Sequence, residues 1–101
     1  MIEFLKTPTN EPYRKLKEHY NNAVAANQKN VEAISISSYD ISKKEVSSRF
    51  VNLKYIINNE WIFFSNYYSP KAKDFSNHNQ ISAVFYWNSI DVQIRVKAYI
   101  K

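Results

Sequence analysis

The sequence predicts a mainly β domain of the α+β kind, an antiparallel sheet with helical cover. Three observations carry this. Apolar and polar residues alternate along several segments, most clearly at Ile34 and Ile36 against Ser35 and Ser37, and again from Val92 to Ile100. A single segment, Tyr13 to about Ala26, has apolar residues at helical spacing. Aromatic residues make up 16% of the chain, which suits a small β-rich core. With 101 residues the chain forms one domain. A domain of this size buries roughly 60–70% of its unfolded surface.

In chain order, residues 1–10 read as a loose arm. Pro12 suits the first turn of a helix, where its missing N–H costs little, and Thr9 or Asn10 can cap that helix. Tyr13, Leu16, Tyr20 and Ala23/Val24 form its apolar stripe, and Asn27 to Asn30 ends it. Val31 to Tyr39 is a half-buried strand, and Asp40 to Glu45 a polar connection. Val46 to Ile56 and Trp61 to Ser65 are the next two strands, joined through Asn58-Asn59. Ser69 and Pro70 open a short helix to about Asn77. Ile81 to Trp87 is a nearly continuous apolar run, expected of a strand buried on both faces. After Asn88-Ser89 comes a last strand. Val92, Ile94, Val96, Ala98 and Ile100 point one way; Gln93, Arg95, Lys97 and Tyr99 point the other. Five strands of this kind either close into a barrel or pair with another chain.

Composition excludes several functions. There is no cysteine, hence no disulfide framework and no thiolate metal site. The two histidines, His19 and His78, have no metal-ligand spacing, and neither a Gly-x-Ser-x-Gly elbow nor any other nucleophile constellation is present. Glycine is absent, which excludes the glycine-rich phosphate loops. Left-handed turn positions then fall to Asn or Asp, at Asp40, Asn58-Asn59 and Asn88-Ser89. The formal charge is +5, but the basic residues are scattered, as on an ordinary solvated surface. Aromatic and basic residues on strands also suit a stacking platform for single-stranded nucleic acid, although no Lys/Arg-Gly-Phe element exists. The N-terminus has no apolar run long enough for a signal peptide or membrane span, so a soluble cytoplasmic protein is the default expectation.

One stretch points to chemistry. Arg49, Ser65, Ser69 and Lys71 can converge near the start of the short helix, where free N–H groups and the helix dipole favour an anion such as phosphate. Singly, each has an ordinary explanation: a solvated strand end, a helix cap, a polar sheet face.

Together the motifs carry a resemblance. Arg49-x-Val51-x-Leu53-Lys54 is followed by Phe63-x-Ser65-Asn66-Tyr67-x-Ser69-x-Lys71, then Phe85-Tyr86-Trp87, then Gln93-x-Arg95-Val96. In this order and approximate spacing they resemble the N-terminal half of the pyridoxamine 5′-phosphate oxidase family, from about Glu11 to Lys101. The resemblance implies an antiparallel split β-barrel that binds FMN and acts as a homodimer with FMN at the subunit interface. It implies that Arg49, Ser65 and Lys71 hold the FMN phosphate, a task suited to a guanidinium fork and an ammonium point charge. It places the backbone of Phe50, Val51, Asn52, Leu53 and Lys54 along the flavin ring, with Phe64 before the hydroxyl. Gln93 would reach the ring from the other subunit, and Lys54 would also touch a substrate phosphate.

The chain departs from the pattern at Asn52, usually apolar; at Pro70, usually arginine; and at Val92, the first arginine of the family's R-Q-V-R. The family's tyrosine, arginine and serine for substrate phosphate, and a tryptophan and an arginine for the flavin, lie beyond this chain. The implied activity is a flavin-dependent oxidation of a small molecule with a reduced or altered substrate site, or flavin carriage without turnover. No catalytic side chain is assigned, and no metal, nucleic acid or membrane is implied.

Overall fold

The architecture is organised around one long strand. In a computed structural model describing residues 1–64 and 79–100, the elements are β1 (Glu3–Leu5), α1 (Glu11–Ala25), β2 (Ala33–Asp40), β3 (Glu45–Ile57), β4 (Glu60–Phe63), β5 (Gln80–Trp87) and β6 (Val92–Tyr99). The sheet order is β1-β3-β2-β5-β6, with β4 also paired to β3. The first half of β3 pairs with β2, and its second half with β1 and β4. A register shift between Leu53 and Tyr55 marks the change. Such an irregularity bends a strand and re-aims its side chains. Among the described residues the sheet is open rather than closed. The short helix expected from Ser69 to Asn77 lies outside the described residues.

Helix α1 forms as the spacing predicts. Asn10 caps it, its Oδ1 accepting from the Tyr13 N–H at 3.4 Å, and Pro12 stands in its first turn. Leu16, Tyr20 and Ala23 are buried. The chain leaves the helix through Asn27, in the left-handed region at φ 59°. None of the described helices is long and apolar enough to cross a membrane.

The core lies on one face of the sheet. Ile34 and Ile36 of β2, Val51, Leu53 and Ile56 of β3, and Ile81, Ala83, Phe85 and Trp87 of β5 are buried with the helix stripe. A run of rings links these layers. Phe4 meets Tyr20 at 5.0 Å between centroids, Tyr20 meets Trp87 at 6.0 Å, Trp87 stacks on Phe85 at 4.9 Å, and Phe85 meets Trp61 at 6.2 Å. Each such pair adds about 0.5–1.5 kcal/mol beyond burial. Both indoles satisfy their N–H groups: Trp87 donates to the Val31 carbonyl at 2.9 Å and Trp61 to the Tyr13 hydroxyl at 3.1 Å.

Three expectations are corrected. Residues 1–10 are not a loose arm. Glu3–Leu5 pairs in parallel with Tyr55–Ile57, Ile2 is buried, and the Ile2 N–H donates to the Tyr20 hydroxyl at 2.8 Å. Strand β5 is not buried on both faces: Ser82 and Tyr86 are exposed between buried neighbours. Left-handed backbone falls on Asn58 as expected, but on Lys44 and Asp91 rather than on Asp40 and Asn88-Ser89. The reason is loop length. The pairs Asp40↔Glu45 and Trp87↔Val92 close four-residue loops, and in each the residue before the returning strand takes positive φ. Asp40 instead ends β2 and organises its loop. Its Oδ1 accepts from the Ser42 hydroxyl at 2.7 Å and from the Ser42 and Lys43 N–H groups at 2.9 and 3.2 Å. These bonds, the Ser42 hydroxyl first, hold its carboxyl below the usual aspartate range.

Candidate functional site

Strand alternation divides the expected site residues between two faces. Val51 and Leu53 point into the core. Arg49 has the same parity and is half-buried on that inner face, opposite Ile36 of β2. Its Nη2 donates to the Ser47 hydroxyl. Phe50, Asn52 and Lys54 lie on the outer face, where Phe50 is 75% exposed. Phe64, just past β4, is exposed as well. Ser65 and Lys71, and the helix start at Ser69, lie outside the described residues.

The backbone of β3 adds a second feature. The Leu53 N–H donates to the Glu32 carbonyl at 2.9 Å. In an antiparallel ladder, hydrogen-bonded and non-hydrogen-bonded pairs alternate. The odd residues of β3 therefore bond toward β2, and the N–H and C=O groups of Val46, Ser48, Phe50 and Asn52 point to the opposite edge. The described pairings with β4 and β1 begin only at Leu53 and Tyr55. Among the described residues, no strand pairs with that edge from 46 to 52. It presents alternating backbone donors and acceptors beside Phe50 and Asn52.

Gln93 is far from this strand within one chain. It stands on the outer face of β6, opposite Tyr86 of β5. The neighbouring row reads Phe50, Ser35, Val84, Arg95 across β3, β2, β5 and β6. Three strand spacings of ~4.8 Å separate its ends by about 14 Å. The structure thus brings Arg49 and Phe50–Lys54 onto one strand and leaves Gln93 across the sheet. Among the described residues no group of three or more His, Cys, Asp or Glu side chains could hold a metal.

No family model matches the chain. Individual proteins do. Over 91 residues, 90% of this chain, it is 31% identical to the chloroplastic pyridoxine/pyridoxamine 5′-phosphate oxidase 1 of Arabidopsis thaliana, covering 17% of that protein. The corresponding enzyme of Prochlorococcus marinus is 33% identical over 85% of this chain and 38% of its own length. The chain is a relative of the pyridoxine/pyridoxamine 5′-phosphate oxidases. It spans well under half the length of these curated oxidases.

Solved structures show the same fold. PhzG from Burkholderia lata, in complex with tetrahydrophenazine-1-carboxylic acid, superposes with a TM-score of 0.81 at 24% identity, over 91% of this chain and 45% of that one. A pyridoxamine 5′-phosphate oxidase-related, FMN-binding protein from Nostoc punctiforme gives 0.77 at 13% identity, over 91% and 47%. The fold is therefore that of the oxidase-like split barrel, here as an open sheet. Tyr86 is 60% exposed beside Gln93, an outward direction that the apolar run of 81–87 hid.

Proposed function

We propose that this chain binds FMN and forms the cofactor-holding part of a flavin-dependent oxidoreductase of the pyridoxamine-phosphate-oxidase type, working on a small molecule in the cytoplasm. The observation that carries this is the edge of β3 from 46 to 52, with which no described strand pairs. Its alternating N–H and C=O groups at Ser48, Phe50 and Asn52 suit the carbonyl and N–H pattern along a flavin ring edge. The same strand carries the half-buried Arg49 guanidinium, a fork suited to phosphate. The donor chemistry therefore fits FMN.

In this reading Arg49, with Ser65 and Lys71, holds the FMN phosphate, and the backbone from Phe50 through Lys54 lies along the ring with Phe64 nearby. Bound FMN would supply the hydride-accepting chemistry. The chain's own part is to bind and orient. Gln93, about 14 Å from β3 by strand spacing, cannot serve the same flavin from within one chain. It serves the site of a second copy, so the working unit is a homodimer. Lys54, exposed at the outer face, offers a charge to a substrate anion.

The test is the visible absorbance of the purified chain, followed by titration with FMN. A flavin spectrum, or saturable quenching of FMN fluorescence at micromolar concentration, is the expected result. A colourless protein that takes up no added FMN overturns the proposal.

A further inference from the structure

The inner face of β3 changes character at Arg49. On one side of it Val51 and Leu53 are buried and apolar, and Val51 pairs across the ladder with Ile34. On the other side Ser47 is half-buried and pairs with Ser38, which is 3% exposed. Residues two apart on a strand have Cα atoms ~6.8 Å apart. The arginine stem spans that gap, since the Arg49 Nη2 donates to the Ser47 hydroxyl. The guanidinium therefore does not stand above its own Cα. It lies back along the strand, beside the Ser47–Ser38 pair and away from Val51 and Ile34.

We infer, resting on the FMN-phosphate reading of Arg49 above, that Ser47 is a positioning residue of that site. Its hydroxyl holds the Arg49 fork on the polar side of the strand, aimed before the phosphate arrives.

The backbone beneath both residues is fixed. The Leu53 N–H donates to the Glu32 carbonyl, so by ladder alternation Ser47 and Arg49 also bond toward β2. Serine has a short side chain and arginine a long one with many rotamers, so the hydroxyl is the firmer of the two anchors. A torsion settled in advance is one that binding need not settle. The donor count allows both tasks. A guanidinium has five N–H donors; a forked bond to phosphate takes two and the serine one. Residue type matters as well. A hydroxyl accepts from the cation without neutralising it, whereas a carboxylate at position 47 would compete with the phosphate.

FMN and riboflavin, titrated by flavin fluorescence quenching, separate positioning from a structural role. Ser47→Ala should weaken FMN by about 3- to 10-fold, the scale of one hydrogen bond, and change riboflavin by less than about 2-fold. Ser47→Thr keeps the oxygen and should bind FMN like the parent. Ser47→Val has the threonine shape without the oxygen; it should match Ser47→Ala, and stands in if alanine loosens the strand. In an Arg49→Lys background, which has no fork to aim, Ser47→Ala should cost less than about 2-fold more. Equal losses of the two flavins overturn the inference. So does a Ser47→Thr variant as weak as Ser47→Val. A full further loss in the Arg49→Lys background also overturns it, and would make Ser47 a direct phosphate contact. A selective loss of FMN in Arg49→Lys with none in Ser47→Ala overturns this inference and leaves the phosphate reading standing. No selective loss in either variant, or no uptake of FMN by the parent, overturns both.

Discussion

Arg49 stands directly opposite Ile36 on the buried face of the sheet, while its neighbour Phe50 is turned to the outside. A guanidinium flanked by core residues has fewer rotamers open to it than one on a free surface. It is therefore poised to meet an anion with a fixed fork rather than as a mobile charge. In the proposed site, one strand supplies phosphate recognition from its inner face and ring recognition from its edge.

The phosphate contacts predict a difference between two flavins. Replacing Lys71 by alanine should weaken FMN by ~10-fold or more, the scale of one charge-assisted hydrogen bond, and leave riboflavin nearly unchanged. Arg49→Lys should show the same selectivity, because an ammonium loses the fork. Fluorescence titration of both ligands measures it. Equal losses would remove these residues from the phosphate site.

Turnover should be poor. Orientation of a small substrate against a flavin comes from fixed contacts, which supply up to ~7–11 kcal/mol of barrier reduction when geometry is right. Lys54 is the one residue here assigned to a substrate phosphate, and an exposed charge contact is worth ~1 kcal/mol or less. Formation of pyridoxal phosphate by FMN-loaded protein should fall well below ~1 per second, the lower end of ordinary enzyme rates. A rate above that would show that another residue of the chain holds the substrate.

The Tyr20 hydroxyl accepts from the Ile2 N–H, and burial raises its pKa while the bond to Ile2 opposes that rise. Tyr20→Phe leaves the buried N–H without this acceptor and should cost ~1–3 kcal/mol. For a domain of this size, each 1 kcal/mol lowers Tm by ~4–8 °C. Thermal unfolding by circular dichroism decides, and a change within 1–2 °C on that scale would show the bond to be dispensable.

Asp40 predicts an acid limb. Its carboxyl titrates below the ordinary aspartate value in the folded chain, chiefly through the Ser42 hydroxyl. The folded state therefore binds that proton less readily than the unfolded state. The associated stability is present above ~pH 4, the unfolded value, and is lost as pH falls through the lower folded value. Asp40→Ala should be less stable than the parent at neutral pH, with the gap closing as pH falls through the lowered folded value. Urea unfolding at several pH values tests this, and a gap independent of pH would assign the loss to the loop alone.

Much of the fold was legible because its strands alternate. The placement of α1, β2 and β6 follows from the spacing of Leu16, Tyr20 and Ala23, of Ile34 and Ile36, and of the Val92–Ile100 series. The inner position of Arg49 was legible too, since it shares parity with Val51 and Leu53. Strand β1 was not, because three residues carry no periodicity and their partner lies on β3. The outer face of β5 was hidden because Val84 and Tyr86 read as core. The left-handed residues at Lys44 and Asp91 depend on loop length, which only the pairing of the flanking strands reveals.

The parallel pairing of Phe4 with Ile56 joins positions 52 apart in the chain. A ribosome must therefore release the chain through Ile57 before β1 has anywhere to dock. Until then Ile2 and Phe4 have no partner strand to cover them. Contacts this distant in sequence slow folding, because loop-closure entropy is lost before the contact returns anything. The docking of β1 then completes the wall against which Tyr20 rests.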